Sequence, residues 1–241
     1  MFNQFGPVVK NLLLLNIALF VLNFVFEAQG IDLGRYLALY NFHSPLFKPY
    51  QLISHMFMHG GIFHLFFNMY ALIMFGPILE RIWGKQRFFI FYFSCGIFAG
   101  LLTNTIDYIQ IIQIEKHFTS LEIQDAIAKL NYLEHGMRLT TDTYLYQKYI
   151  NFMQIPMVGA SGAILGILAA FAWLFPNTEL QLIFPPIAVK AKWLIGIYVL
   201  YELYMAFSGK MDGIGHWAHI GGAIMGTLFI FIWKQNKKSF Y

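Results

Sequence analysis

A serine and a histidine stand out in this sequence because each is a reactive polar side chain within an apolar stretch. Ser161 lies in the string Val-Gly-Ala-Ser-Gly-Ala, and His219 lies in the string His-Trp-Ala-His-Ile-Gly-Gly. A histidine that accepts the proton of a serine hydroxyl activates the serine as a nucleophile, and it can later protonate a leaving amine. The two residue types therefore predict hydrolysis of peptide bonds, provided that the fold brings them together.

Small residues next to this pair indicate how the fold could do so. Each of the two residues is followed by a pair of glycines one helical turn apart, and small residues allow membrane helices to approach closely. Contact between the two pairs would bring Ser161 and His219 within hydrogen-bonding distance. Helix packing without chemistry is the alternative interpretation of the same glycines. The four positions are Gly162, Gly166, Gly222 and Gly226.

A second polar pair could stabilise negative charge. His64 and Asn68 are four residues apart, so they share one face of a helix. Both side chains can donate hydrogen bonds, and the tetrahedral intermediate of peptide hydrolysis needs donors at its oxyanion. We expect His64 and Asn68 to stabilise the oxyanion by hydrogen bonds, together with the backbone N–H of Ser161. A polar contact between two helices is the alternative.

The elements that must position these residues are apolar helices. Of the 241 residues, 58% are hydrophobic and only 12% are charged, whereas a soluble domain has about 25% charged residues. Six stretches approach the roughly 20 apolar residues that a helix needs to cross a bilayer. These stretches lack the alternation of apolar and polar residues that is typical of strands. We expect an all-α bundle of six transmembrane helices, a single domain over residues 1–241. The predicted spans are Val8–Glu27, Gly61–Leu79, Phe88–Ile106, Val158–Phe175, Ala191–Phe207 and His216–Trp233.

The distribution of charged residues indicates how the chain is oriented in the membrane and which partners are not expected. If the N-terminus is cytoplasmic, the inside segments are short and rich in Lys and Arg, and the outside segments are long and slightly acidic. We therefore expect both termini inside. A chain in which the first span is retained suits a bacterial cytoplasmic (inner) membrane. The net charge of +4 is spread along the chain, so nucleic acid is not expected as a partner.

A long segment, residues 107–157, separates the third and fourth spans. Apolar residues at helical spacing follow Ser120, and a second helix is predicted at Thr143–Phe152. We expect an extramembrane helical insert that lies on the outer surface or packs on the bundle. An element that selects substrates or binds a partner is the functional alternative.

With these motifs in place, the chain resembles the rhomboid family of intramembrane serine proteases over nearly its whole length except the insert. Three strings carry the resemblance: His55-Met-Phe-Met-His-Gly-Gly-Ile-Phe-His-Leu-Phe-Phe-Asn68, then Gly159-Ala-Ser-Gly162, then Ala218-His-Ile-Gly-Gly222 with Gly226. The resemblance implies a site sunk below the outer surface, with Ser161 as nucleophile and His219 as general base. It implies transmembrane proteins in the lipid bilayer as substrates.

The resemblance also assigns supporting roles. His64 and Asn68, helped by the backbone of Ala160, look like the oxyanion donors. No third carboxylate, cofactor or metal is expected, so a dyad is predicted rather than a triad. Glu80 would tie down the inner end of the second predicted span. Many members carry Trp-Arg where this chain has Tyr50 and Gln51. The expected supporting residues are His59, Gly159, Gly162 and Gly222, with His55 and His59 in a hydrogen-bond network above the site.

Three competing interpretations remain open. Five histidines could bind a metal ion, although His-Glu-x-x-His is missing and no acidic residue accompanies them in their spans. A rhomboid-like protein that binds membrane clients without catalysis is a second. A transporter is the third, because Glu202 lies within the fifth span and could belong to an ion pathway. An interhelical hydrogen bond is the simpler interpretation of Glu202. The histidines are His55, His59, His64, His216 and His219.

Overall fold

The computed structural model describes residues 5–124, 144–182, 186–209 and 212–235, and these are mostly helical. Three helices are long and apolar enough to cross a membrane: Pro7–Glu27, Ile62–Glu115 and His216–Trp233. A fourth apolar helix, Ser161–Leu174, is shorter. The chain is therefore a polytopic helical integral membrane protein. Within the described residues, the elements are α1 (Pro7–Glu27), α2 (Gly34–Leu37), α3 (Gln51–Ser54), a 3-10 turn (His55–Phe57), α4 (Ile62–Glu115), α5 (Tyr144–Gln154), α6 (Ser161–Leu174), β1 (Glu179–Gln181), β2 (Ala188–Lys190), α7 (Ala191–Ser208) and α8 (His216–Gln235).

The two short strands correct the expectation of an all-helical chain. β1 and β2 pair antiparallel between α6 and α7, with Glu179 opposite Lys190. Within the described ranges, a single further bridge pairs Leu39 with Met157. Strands of three residues are too short to produce a recognisable alternation of apolar and polar residues, which is why the sequence pattern did not reveal them.

The longest helix, α4, is broken in its middle. Its 54 residues would measure about 80 Å as one straight helix, more than twice the ~30 Å hydrocarbon core of a bilayer. Gly84 has φ 78° and ψ 163°, which is not helical, so α4 consists of two arms, residues 62–83 and 85–115. The second and third predicted spans fall in these two arms. The second arm continues past Ile106 to Glu115, so the insert begins as an extension of α4.

α6 occupies the centre of the bundle. It packs against α4, α7 and α8, and 9 of its 14 residues are buried. A β-carbon added at Gly166 would lie 2.6 Å from the sulfur of Cys95 on α4, which shows how closely the two helices approach. Since α6 is enclosed by other helices, its N-terminus faces a protein-lined space.

Glu80 has a structural role, as predicted, but the helix end that it holds is the beginning of α1 rather than the inner end of the second predicted span. α1 has no side-chain N-cap of its own, and the Glu80 carboxylate accepts hydrogen bonds from the backbone N–H groups of Val8 at 3.0 Å and Val9 at 2.9 Å. A negative charge at a helix N-terminus also interacts favourably with the helix dipole. The helix end that Glu80 ties down is therefore the start of α1.

The described part of the insert packs on the extension of α4. α5 confirms the second predicted helix, and it buries Tyr149, Ile150 and Met153 against Ile111 and Ile114 of α4. The chain then passes from α5 directly into the segment before α6. Most of the apolar pattern predicted after Ser120 lies outside the described residues.

Candidate active site

Ser161 is the first residue of α6, and the backbone before it is held from two sides. Gly159 donates its N–H to the carbonyl of His55 at 2.9 Å, and Met157 pairs with Leu39. Gly159 has φ +119°, a conformation that disfavours any residue with a side chain. A β-carbon there would lie 2.7 Å from His64 Nε2 and 3.7 Å from Ser161 Oγ. The His64 ring and the Ser161 hydroxyl therefore flank the same glycine.

The glycine pairs bring α6 and α8 into backbone contact, which confirms the predicted packing. A β-carbon at Gly222 would overlap the carbonyl of Gly162, and one at Gly226 would lie 2.5 Å from the Gly166 carbonyl oxygen. At the ends of α6 and α8 that carry the reactive residues, a β-carbon at Gly162 would lie 3.4 Å from the carbonyl oxygen of Ala218. These neighbours of Ser161 and His219 are therefore in contact.

A cavity of about 1310 Å³ joins the polar residues that the sequence singled out. Ser161 is half-buried and His219 is 9% exposed. Both line the cavity, although no hydrogen bond joins these two described residues in this conformation. Both α4 and α7 contribute lining residues. The other lining residues that matter here are His64, Asn68, Phe67, Ala71, Tyr198, Tyr201 and Glu202.

Three kinds of hydrogen-bond donor face this cavity. His64 Nδ1 accepts from the N–H of Gly60 at 3.4 Å, which leaves the ring proton on Nε2, the nitrogen nearer Gly159. Asn68 Nδ2 is buried and has no hydrogen-bond partner among the described residues. Ala160 precedes α6 without a side-chain cap, so the first N–H groups of that helix have no intrahelical acceptor. His64 and Asn68 thus line the cavity with donors available, and the oxyanion role of His64, Asn68 and Ala160 stays a prediction.

His55 and His59 differ in what they contribute. His55 Nδ1 donates to the carbonyl of Gln51 at 2.8 Å, as the expected network requires. His59 packs edge-on against His64 with ring centroids 5.1 Å apart, but its ring nitrogens are buried with no hydrogen bond of good geometry to any described residue. Burial lowers the pKa of each ring to about 4, and proximity to His64 adds to the effect on His59. Within the part of the chain that the structure describes, His59 therefore supports His64 by packing.

Glu202 is the residue whose place in the site the sequence did not reveal. Its carboxylate oxygen Oε2 lies 2.6 Å from His216 Nδ1 and 3.0 Å from His219 Nδ1. These contacts join α7 to α8 and confirm the interhelical interpretation of Glu202. They also correct the expectation that no carboxylate accompanies the histidine of the pair. An acidic residue in an apolar span was the only available signal, because its partners are 14 and 17 residues away on another helix.

The same three side chains raise the question of a metal site. The possible donor atoms of Glu202, His216 and His219 lie within 4.8 Å of one another. The 2.6 Å between Glu202 Oε2 and His216 Nδ1 is a hydrogen-bond distance. Two ligands of a tetrahedral zinc ion would be about 3.3 Å apart, given metal–ligand bonds of about 2.0 Å. The geometry therefore fits a hydrogen-bonded cluster better than a set of metal ligands.

Comparison with known proteins agrees with the three motifs. The Rhomboid domain family matches residues 47–112 and 126–236, more than half of the chain. YdcA of Bacillus subtilis, which is named as a rhomboid protease, is 32% identical to this chain over 114 residues. The match covers 46% of this chain and 57% of YdcA. The rhomboid protease AarA of Providencia stuartii is 28% identical over 225 residues, 90% of this chain and 69% of AarA.

A mitochondrial protein is also similar. The presenilin-associated rhomboid-like protein of Rattus norvegicus is 26% identical over 189 residues, which cover 75% of this chain but only 38% of the rat protein. The matched region is thus a part of the rat protein and of YdcA rather than the whole of either. With the family match over both the second-span histidines and the serine and histidine motifs, the chain belongs to the rhomboid family.

Proposed function

We propose that this protein is an intramembrane serine endopeptidase in which Ser161 is the nucleophile and His219 is the general base. One observation carries the proposal. Side chains from three helices, Ser161 of α6, His219 of α8 and the pair His64 and Asn68 of α4, line one cavity inside an apolar bundle. Polar groups at such depth are costly, and their convergence on one cavity favours chemistry over packing.

The reaction follows from the side chains present. His219 Nε2 takes the proton of the Ser161 hydroxyl as the oxygen attacks the carbonyl carbon of a substrate peptide bond. The negative charge that develops on the carbonyl oxygen is stabilised by His64 Nε2–H, Asn68 Nδ2–H and the first backbone N–H groups of α6. His219 then gives the proton to the leaving amine. Water attacks the acyl-enzyme in a second round of the same steps and frees Ser161.

The substrates would be transmembrane or juxtamembrane segments of other proteins. Phe67 and Ala71 of α4 and Tyr198 and Tyr201 of α7 line the cavity. A substrate helix could enter between these two helices from the lipid. Small or helix-destabilising sequences would be cut best, because a regular helix keeps its carbonyls in intrahelical hydrogen bonds.

The membrane arrangement completes the proposal. The two arms of α4 count as two spans, and α1, α6, α7 and α8 make six. The distribution of Lys and Arg favours a cytoplasmic location for both termini, in a bacterial inner membrane. The cavity would then open to water from the outer face, and the insert at 107–157 would lie on that side.

A serine-directed probe tests the proposal. A fluorophosphonate should label the wild-type protein in detergent, and Ser161→Ala should abolish both labelling and cleavage of a model transmembrane substrate. Ser94→Ala is the matched control, because Ser94 lies on α4 without lining the cavity. Full cleavage by a folded Ser161→Ala protein would refute the proposal. A wild-type protein that neither reacts nor cleaves, yet binds transmembrane segments, would favour the client-binding alternative.

A further inference from the structure

Glu202 is a buried carboxylate that the reaction described above does not use. It is 3% exposed within an apolar helix, and a charge in such a place is costly unless it is paired. Its oxygen Oε2 faces two imidazoles of α8, those of His216 and His219. Tyr198, one turn earlier on α7, lines the same cavity. The carboxylate is therefore hydrogen-bonded to His216 and in contact with His219, the proposed general base.

His216 fixes Glu202 from the other side. Its Nδ1 contacts Glu202 Oε2 at 2.6 Å and its Nε2 contacts Asp212 Oδ2 at 3.1 Å. Both ring nitrogens face carboxylate oxygens, so the ring donates to both when it is an imidazolium. His216 is itself buried. Glu202 is thus anchored by His216 and does not need His219 to hold it in place.

The Glu202 carboxylate of this cluster lies next to the ring on which positive charge develops during the proposed reaction. When His219 is neutral, the carboxylates of Glu202 and Asp212 and the imidazolium of His216 sum to one negative charge. Transfer of the Ser161 proton to His219 brings the cluster to neutrality. A carboxylate next to an imidazole stabilises the imidazolium that forms during such a transfer.

From this geometry we propose that Glu202 is a positioning residue that orients His219 and stabilises its protonated form. The inference rests on the proposed function. A proton on Nδ1 directed at Glu202 leaves Nε2 unprotonated for Ser161. In this conformation Oε2 lies off the line of the Nδ1–H bond. Catalytic hydrogen bonds of this kind often align only when substrate binds.

Charge replacement at Glu202 provides the kinetic test. Glu202→Gln keeps the size of the side chain and removes its charge, so kcat should fall about 100-fold or more while KM stays near the wild-type value. The acidic limb of the kcat/KM profile should move to lower pH, because the imidazolium loses its counter-charge. Glu202→Asp should restore the position of that limb. The groups that face His219 and contribute to the profile are His64 from α4, Ser161 from α6, Glu202 and Tyr198 from α7, and His216 on its own helix, with Asp212 behind it.

Two controls separate positioning from folding and from metal binding. Glu80→Gln also removes a buried carboxylate, but one that lies at α1 and outside the cavity, so the acidic limb should not move. If Glu202→Gln and Glu80→Gln change only thermal stability, with unchanged pH profiles, the proposal is overturned. A chelator should leave the wild-type activity unchanged, and loss of activity on chelation would overturn the positioning role of Glu202 in favour of a cation site.

Nuclear magnetic resonance of the histidine ring nitrogens gives a readout that does not depend on cleavage. With histidine-selective 15N labelling and His219→Ala for assignment, wild-type His219 should carry its proton on Nδ1. In Glu202→Gln its titration should move to lower pH. An unchanged tautomer and titration would overturn the role of Glu202 even if the enzyme is active. Failure of the Ser161 labelling experiment would instead contradict the proposed function alone.

Discussion

Gly162 of α6 and Gly222 of α8 touch backbone to backbone, so closely that a β-carbon at Gly222 would overlap the Gly162 carbonyl. The contact lies one residue after Ser161 and three residues after His219. Since both reactive side chains are carried by these two helices, their separation depends on how near the helices can come. The activity of the site should therefore be sensitive to a single methyl group placed at this contact.

Gly222→Ala tests that dependence. The added methyl group has no space, so α6 and α8 must separate, which should cost about 1–3 kcal/mol of stability and lower kcat well beyond the loss of folded protein. Gly196→Ala is the matched control, because a β-carbon added at Gly196, within α7, would meet no described atom within 4 Å. We expect near wild-type behaviour there. Thermal denaturation and cleavage rates of both variants in detergent check the prediction, and equal kcat values would contradict it.

Removal of an oxyanion donor should slow the reaction without preventing substrate binding. His64→Ala and Asn68→Leu should each reduce kcat by about 10²–10³, the usual effect of losing one such donor. Asn16→Leu removes a buried amide from α1, away from the cavity, and serves as the control. Single-turnover cleavage and the rate of fluorophosphonate labelling measure the effect. Wild-type rates for both α4 variants would remove these residues from the oxyanion site.

Gln51 should be required for the loop before α4. It is fully buried and links four backbone groups, accepting from the N–H groups of Tyr40 and Lys48 and donating to the carbonyls of Tyr36 and Leu46. Gln51→Ala removes these four hydrogen bonds and should destabilise the protein by about 2 kcal/mol or more. Thermal denaturation should show a lower midpoint, whereas Gln29→Ala at an exposed position should not change it. An unchanged midpoint for Gln51→Ala would contradict this role.

Stability should fall in acid because of two buried histidines. Burial lowers the pKa values of His55 and His59 from 6.5 to about 4. Between these values the unfolded chain binds protons that the folded protein excludes, so the stability present above about pH 6.5 is lost as the pH falls toward 4. Each histidine contributes about 3 kcal/mol to this loss.

His59→Leu should remove one of these contributions. The variant should lose less stability than the wild type between about pH 6.5 and pH 4. His117→Leu, at an exposed position, should keep the wild-type pH dependence. Denaturation midpoints at the two pH values decide the matter. Parallel curves for the wild type and His59→Leu would show that the buried His59 ring does not resist protonation.

The sequence alone determined the apolar helices and the residues that carry the proposed chemistry. Span length follows from bilayer thickness, and a polar residue in an apolar stretch is visible without any structure. The glycine pairs and the one-turn spacing of His64 and Asn68 are local patterns, so the faces that they form could be read directly. Glu80 was likewise recognised as a structural residue, although its partner at α1 was not.

Only the tertiary structure decided which side chains meet across helices. Glu202 contacts His219, Gln51 links the loop before α4, and Gly84 divides one long helix into two arms. These relationships depend on the rotation and depth of one helix relative to another, and composition or periodicity does not encode either. An acidic residue in an apolar span indicated only that some partner must exist. Its identity as the proposed general base became evident once α7 and α8 were placed side by side.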